Sequence, residues 1–508
     1  MSITRRTFLG ATAAGLATVA SGGNATSAVA RKKEAKNIIF CVSDGMAVTV
    51  PTLVDYYSRM TDGKPSYWAD LMSQPYATNG LQVTRSLSSV VTDSAAAAAA
   101  WGSGRLQWNG QLNMFPDGTK LRPLTDIVME QGMRTGLVTT TTITHATPAG
   151  FSVSIDSRND QPGIAAMYLD SGIDVLMGGG DPVFSAEMRT DGRDLYAEFA
   201  QKGYTVVKTR DALIGLTSKQ VLGVFSASHL PYTVDRDNDP EIESRVPTLA
   251  EMSEVAIKNL VGTADGFLLQ IEGGRVDHGA HGVDLAAMFF DQIAFEDAVK
   301  VAVDFALEDG ETLVIVTSDH ACGGPALNGA DGSFGGSYFD STEGLLTLQN
   351  MKASYGVMAQ KFSASPYAAN MQDVVEEYLG IKLSTEEAQA VMDSAAGDHP
   401  LGISEFHRSS SATLASVLGN HTKVNWTSGN HTADHVLVTA VGPGSEQVGA
   451  LVENTQFFDM MLGMRGIEYS NPTMSYDEAV GHLRGLEERL SAQNQPGIEE
   501  IQSEYLLA

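Results

Sequence analysis

Five short and almost unbroken apolar runs restrict this chain more than any other feature. They lie at 37–43 (Asn-Ile-Ile-Phe-Cys-Val-Ser), 136–139, 174–177, 267–271 and 313–317. Each is too short for a buried helix and too continuous for a strand with one wet face, so each reads as a strand covered on both sides. Between them the spacing turns helical. Leu249, Met252, Val255, Ala256 and Leu260 share one face over 248–261, and a second pattern runs through 284–308. Strands alternating with helices predict an α/β fold, doubly wound, with a mostly parallel central sheet flanked by helices. In such sheets ligands gather at the carboxyl ends of the strands. Several of these runs end in Asp or Glu.

The alternation stops after His320. Residues 321–430 are rich in Gly, Ser and Ala, with helical pieces near 371–379 and 385–394, and read as an insertion, crown- or lid-like, near the site. The run 436–441 then returns to the sheet, and 475–493 has the spacing of an amphipathic helix. The predicted organisation is therefore a catalytic domain in two parts, 31–320 and 431–508, interrupted by 321–430. Residues 1–30 stand outside the fold. Arg5-Arg6 precede an Ala-rich stretch that closes on Ala28-Val29-Ala30, the pattern of a twin-arginine export signal, so a periplasmic or extracellular protein is expected.

Composition removes some functions. The formal net charge of −28 leaves no basic surface for a nucleic-acid backbone. Beyond the signal no apolar run is long enough to anchor the chain in a bilayer. Two cysteines, Cys41 and Cys322, cannot make a disulfide framework, and free buried thiols are the simpler expectation over a single bridge.

Chemistry concentrates in five places. Asp93-Ser94 precedes six alanines, and a strand running into that helix would set Ser94 at its N-terminus, where free N–H groups favour an anion. Glu272 opens the stretch Glu-Gly-Gly-Arg-Val-Asp-His-Gly-Ala-His; Asp277 and His281, four apart, can face one ion from a single helical turn. Asp319-His320 and Asp44 each follow a strand. His431 sits in Gly-Asn-His-Thr just before the late run, with His421 in an identical tetrapeptide ten residues earlier. So many oxygen and imidazole donors exceed the needs of one ion. Two or three divalent metals are expected, imidazole favouring zinc and all-oxygen sets magnesium.

Taken in order, Asp44-Gly45-Met46, Asp93-Ser94-Ala-Ala, His145-Ala-Thr147-Pro, Arg158, Glu272…Asp277…His281, Asp319-His320 and Gly-Asn-His431-Thr resemble the alkaline phosphatase family over about 40–465, weakly in 180–245 and hardly in 325–425. The resemblance implies hydrolysis of phosphate monoesters through a phosphoserine on Ser94, with two Zn2+ and one Mg2+. It implies one zinc on Asp277, His281 and His431, the second on Asp44, Asp319 and His320, and magnesium on Asp44, Thr147 and Glu272. It puts Arg158 on the phosphate with Asp93 orienting it, and His145 and His278 beside the substrate. His431 is preferred to His421 because it stands eleven residues before Gly442-Pro443, the family's spacing. Homodimers are common in the family, and this chain's own state stays open. A phosphodiesterase or sulfatase on the same scaffold, a non-catalytic metal- or phosphate-binding protein, and a surface protein built from repeats are the alternatives. Arg158 opposes the first, and the last lacks its repeats.

Overall fold

The computed structural model describes residues 34–329, 340–362, 368–398 and 404–492. The export signal expected at 1–30, the Gly-Ser run at 332–337 and the last residue of the 475–493 helix lie outside the described residues.

Fourteen strands follow in chain order. They are β1 (Asn37–Ser43), β2 (Ala77–Val83), β3 (Arg134–Thr142), β4 (Val175–Gly179), β5 (Thr205–Val207), β6 (Val221–Val224) and β7 (Phe267–Gly273). The rest are β8 (Thr312–Thr317), β9 (Ala321–Cys322), β10 (Ala326–Leu327), β11 (Val424–Asn425), β12 (His431–Thr432), β13 (Val436–Val441) and β14 (Leu451–Glu453). Ten of them form one sheet in the order β14-β2-β13-β8-β1-β7-β3-β4-β6-β5. Every neighbouring pair is parallel except those of β13, which runs against both β2 and β8.

The apolar runs became strands because both sheet faces are covered. On β1, Ile39 and Cys41 join one buried cluster while Ile38, Phe40 and Val42 join the other, as the two-residue period of a strand requires. Helices Leu249–Leu260 and Leu285–Asp309 lie where the 3.6 spacing put them. The first starts at a Thr248–Glu251 capping box and the second at Asp284, whose carboxylate accepts from Ala287 N. Helices Ala368–Leu379 and Thr385–Ala395 occupy the predicted stretches of 321–430. Leu345, Leu348, Val375, Leu379 and Leu418 belong to the same apolar cluster as β1 and β7. That helical stretch therefore shares the main core.

One expectation fails locally. No strand runs into the Ser94 helix. β2 ends at Val83, and ten residues of turn and coil separate it from helix Ser94–Ser103.

Buried acids on the long helix make a test of the packing. Asp291 is 4 % exposed, and its Oδ2 accepts from Thr233 N at 2.9 Å. Burial pushes its pKa up to about 7. A raised folded-state pKa means that the folded chain keeps a proton that the unfolded chain releases near pH 4. Its stabilising effect is complete below that pH and is lost as pH rises towards 7, at no more than about 1.4 kcal/mol per pH unit. Asp291→Asn keeps an acceptor for Thr233 and removes the titration. Its urea midpoint is expected to gain on the wild-type midpoint as pH goes from 5 to 8. A gap that stays constant over that interval would contradict the burial argument.

Candidate active site

Strands β8, β1, β7 and β3 are consecutive in the sheet, so their carboxyl ends form one rim. Asp44 follows β1, Glu272 sits at the end of β7, Asp319 and His320 follow β8, and His145 and Thr147 follow β3. Because β13 is antiparallel, its entry lies at this rim too and brings β12 with His431. β2, parallel to β8 across β13, delivers the loop that leads to Ser94.

Ser94 is the first residue of its helix, and Asp93 is the cap, with Oδ1 accepting from Ala96 N at 2.9 Å. The other carboxylate oxygen, Oδ2, accepts from Gly110 N at 2.9 Å and from Arg158 Nη1 at 3.1 Å. Arg158 N in turn donates to Gly110 O at 2.9 Å. The guanidinium is thus held beside the nucleophile candidate from side chain and main chain together. Ser94 Oγ lies 3.2 Å from His320 Nε2.

The imidazoles show their tautomers through their partners. His281 Nδ1 donates to Gly429 O at 2.7 Å, and His431 Nδ1 donates to Thr92 O at 2.9 Å, since a carbonyl can only accept. Both Nε2 lone pairs then face each other 3.0 Å apart, with Asp277 oxygens 3.4 and 3.5 Å away. Two imidazole nitrogens and a carboxylate converging on one point form a donor set that could hold a metal ion. Burial and the neighbouring His320 push His431 down to about 4, so its ring stays neutral.

Four carboxylates share this volume. Asp44, Glu272 and Asp319 are wholly buried, and Asp277 nearly so. Among the described residues none of the four pairs with a lysine or arginine; the side chains that approach them are the imidazoles of His145, His281, His320 and His431. Burial, then Asp319, Asp277 and Glu272, drive Asp44 far above the carboxylate range. Burial would raise Asp319 and Asp277 as well, but His320 outweighs it at the first, and His281 and His431 do so at the second, so both are lowered. Burial alone would lower His320, yet Asp319 and Asp277 raise it. Asp44 Oδ1, both Glu272 oxygens, Asp277 Oδ1, Asp319 Oδ2 and His320 Nδ1 are buried without a hydrogen-bond partner. Burying that many acceptors unpaired is untenable without positive charge.

His145 behaves differently from a simple ligand. Its Nε2 accepts from Arg158 Nη2 at 3.1 Å, so the neutral ring turns Nδ1–H towards Glu272 and Asp44, 3.8 and 4.0 Å away. The spacing of Asp44, His145 and Glu272 would suit an ion. The proton on Nδ1 does not, as long as Arg158 holds Nε2. Thr147 Oγ1 donates to Asp44 Oδ2 at 3.2 Å, leaving Asp44, Thr147 and Glu272 as an all-oxygen set.

The remaining expectations sort clearly. His278 accepts from Arg275 Nη1 at 2.7 Å through Nδ1 and sits 5.7 Å, ring to ring, from His145, at the margin of the acidic cluster. Arg275 also lies over the Tyr232 ring at 3.7 Å, a structural position. His421 bonds Glu387 at 3.1 Å on helix Thr385–Ala395 and takes no part. Both cysteines are free and buried. Two further neighbours were not among the expected site residues. His229 packs against His278 at 4.3 Å, with Nδ1 accepting from Thr142 N, and burial, followed by repulsion from His145 and Arg275, pushes it down to about 3. Cys322 stands with Asp277, His281 and His431.

The comparisons with known proteins agree with this geometry. The family profile described as Alkaline phosphatase matches residues 35–466. Alkaline phosphatase 3 of Bacillus subtilis is 33% identical over 434 residues, covering 83% of this chain and 87% of the relative. The crystal structure of Thermus thermophilus alkaline phosphatase superposes with a TM-score of 0.83 at 35% identity, covering 89% of this chain and 96% of that one. The cold-active alkaline phosphatase of a psychrophilic Shewanella gives a TM-score of 0.71 at 25% identity over 84% and 99% of the two chains. No helix among the described residues is long and apolar enough to cross a membrane. With its sheet rim, buried acids and serine-headed helix set beside these matches, the chain belongs to the alkaline phosphatase family and is a hydrolase of phosphomonoesters.

Proposed function

We propose that Ser94 is the nucleophile and that the reaction passes through a phosphoserine. The observation that carries this is the placement of Ser94 Oγ, at a helix N-terminus, between the acidic cluster and the guanidinium that Asp93 holds. The unpartnered oxygens and converging Nε2 atoms fit divalent ions. Asp277, His281 and His431 would hold one zinc, Asp44, Asp319 and His320 a second, and the all-oxygen set Asp44, Thr147 and Glu272 a magnesium. Bound there, the ions would lower the pKa of the Ser94 hydroxyl and offset the charge of the carboxylates and the phosphoryl group.

The chain's own residues do the rest. Arg158 presents a planar fork to two phosphoryl oxygens, a grip that suits a monoester dianion. Asp93 fixes that fork. Free N–H groups at the start of the Ser94 helix favour the negative charge that gathers there. Ser94 gives up its hydroxyl proton to solvent and its Oγ forms the new bond to phosphorus as the bond to the leaving alkoxide breaks; water then attacks phosphorus, the Oγ–P bond breaks, and inorganic phosphate leaves as the serine is returned. His145 ties Arg158 to the third ion's neighbourhood through its two nitrogens.

The test is chelation followed by reloading. Nitrophenyl phosphate turnover should vanish with the metals and return with zinc plus magnesium, and an acid quench should trap phosphate on the Ser94 peptide. Full turnover in the metal-free protein, or label on another residue, would overturn the proposal.

A further inference from the structure

Cys322 is left unused by everything above, yet it is placed with three proposed zinc ligands. It lies on β9, directly across the two-stranded ladder from His431 on β12. It is fully buried. One donor atom from each of Asp277, His281, Cys322 and His431 falls within 4.8 Å of the others. The two imidazoles turn their Nε2 lone pairs inward because their Nδ1 atoms are committed to Gly429 O and Thr92 O. Asp277 Oδ1, buried and without a hydrogen-bond partner, is directed into the same space.

We propose that Cys322 is a fourth ligand of this site, binding the ion through its sulfur and biasing the site towards soft divalent metals. This rests on the ion proposed at Asp277, His281 and His431. On loading, the Sγ–H bond is exchanged for an Sγ–metal bond, the proton leaves to solvent, and no electron is transferred. Two imidazoles, a carboxylate and a thiolate make a four-donor set of the kind zinc accepts, and zinc can expand to five ligands when a substrate oxygen arrives. Thiolate is the donor that most separates zinc, cadmium and cobalt from magnesium.

Cobalt substitution reads the sulfur directly. The full chain is stripped by chelation and reloaded with Co2+ alone. Visible d–d bands report cobalt held by oxygen and nitrogen, whereas a near-ultraviolet charge-transfer band requires a bound thiolate. Wild type is expected to show both. Cys322→Ser should keep the visible bands and lose the near-ultraviolet one, and Cys41→Ala should keep both. Cadmium affinity should fall at least about tenfold in Cys322→Ser. If Cys322→Ser does not fold, the wild-type and Cys41→Ala spectra still decide the matter. Visible bands without the charge-transfer band in wild type would overturn the sulfur ligand and leave the metal site standing. Failure of cobalt to bind at all would overturn the metal site and the sulfur with it.

Discussion

Replacing Ser94 with alanine is expected to cut turnover of phosphate monoesters by at least about a thousandfold while leaving folding and metal content intact. The reason for the split lies in the local packing. Six alanines follow Ser94 in a wholly buried helix, so a methyl side chain at that position creates no new contact to resolve. The hydroxyl has His320 Nε2 as its hydrogen-bond partner among the described residues. Loss of Oγ therefore removes the attacking atom and little else. Steady-state turnover, metal content and thermal unfolding of the variant give three separate readings. Near-normal turnover would sink the nucleophile assignment. Lost turnover accompanied by lost metal would instead make Ser94 part of the ion sites.

A second large effect is expected at a residue with no side chain. Gly45 has φ +70°, and a Cβ built there would meet Asp277 Oδ1 at 2.4 Å, its Cβ at 2.5 Å and its Cα at 2.6 Å. Backbone atoms are among those contacts, so no rotamer change relieves them. Gly45 N also donates to Asp319 Oδ1 at 3.0 Å, which couples this turn to two proposed ligands at once. Gly45→Ala should displace the loop from helix Arg275–His281, lower the metal bound per chain and reduce turnover on the order of a hundredfold. Gly63 supplies the control. Its φ is +71° but nothing lies within 4 Å, so Gly63→Ala carries only the conformational penalty, about 1 kcal/mol, with unchanged metal content. If both variants behave alike in metal content and turnover, the close approach to Asp277 has no functional weight.

The parts of the fold that could be read in the sequence were those buried on both faces. β1, β7 and β8 are apolar along nearly their whole length because solvent touches neither side. β2 escaped notice for the opposite reason: only Gln82 is buried in Ala-Thr-Asn-Gly-Leu-Gln-Val, and backbone pairing with β13 and β14 together with polar side-chain bonds from Asn79 and Gln82, rather than apolar burial, keeps it in the sheet. That omission produced the mistaken strand before Ser94. The proposed ligands were legible because carboxylates and imidazoles at strand ends are costly and therefore conspicuous. Between the twin tetrapeptides, the spacing to Gly442-Pro443 and the strand-like run that directly follows separated His431 from His421. His229 left no trace, since it reaches its neighbours only through tertiary contacts, and Cys322 stood out only by lying two residues from His320, with its role open. His145 lies beside Arg158, Glu272 and Asp44. Its proton is set by Arg158, which spacing alone does not reveal.

The proposed ligands begin at Asp44 and end at His431, gathered by four adjacent strands and completed by the β9–β12 ladder. Closing that circuit requires contacts between distant parts of the chain, the kind that form late and slowly. During synthesis, a polypeptide that has not yet delivered its final histidine has an incomplete cage for the first ion, however well its earlier strands have paired. Metal uptake would then serve as a completion signal, rising only when nearly the whole polypeptide is in place. The full chain with His431→Ala should keep its apolar core and still fail to hold that ion.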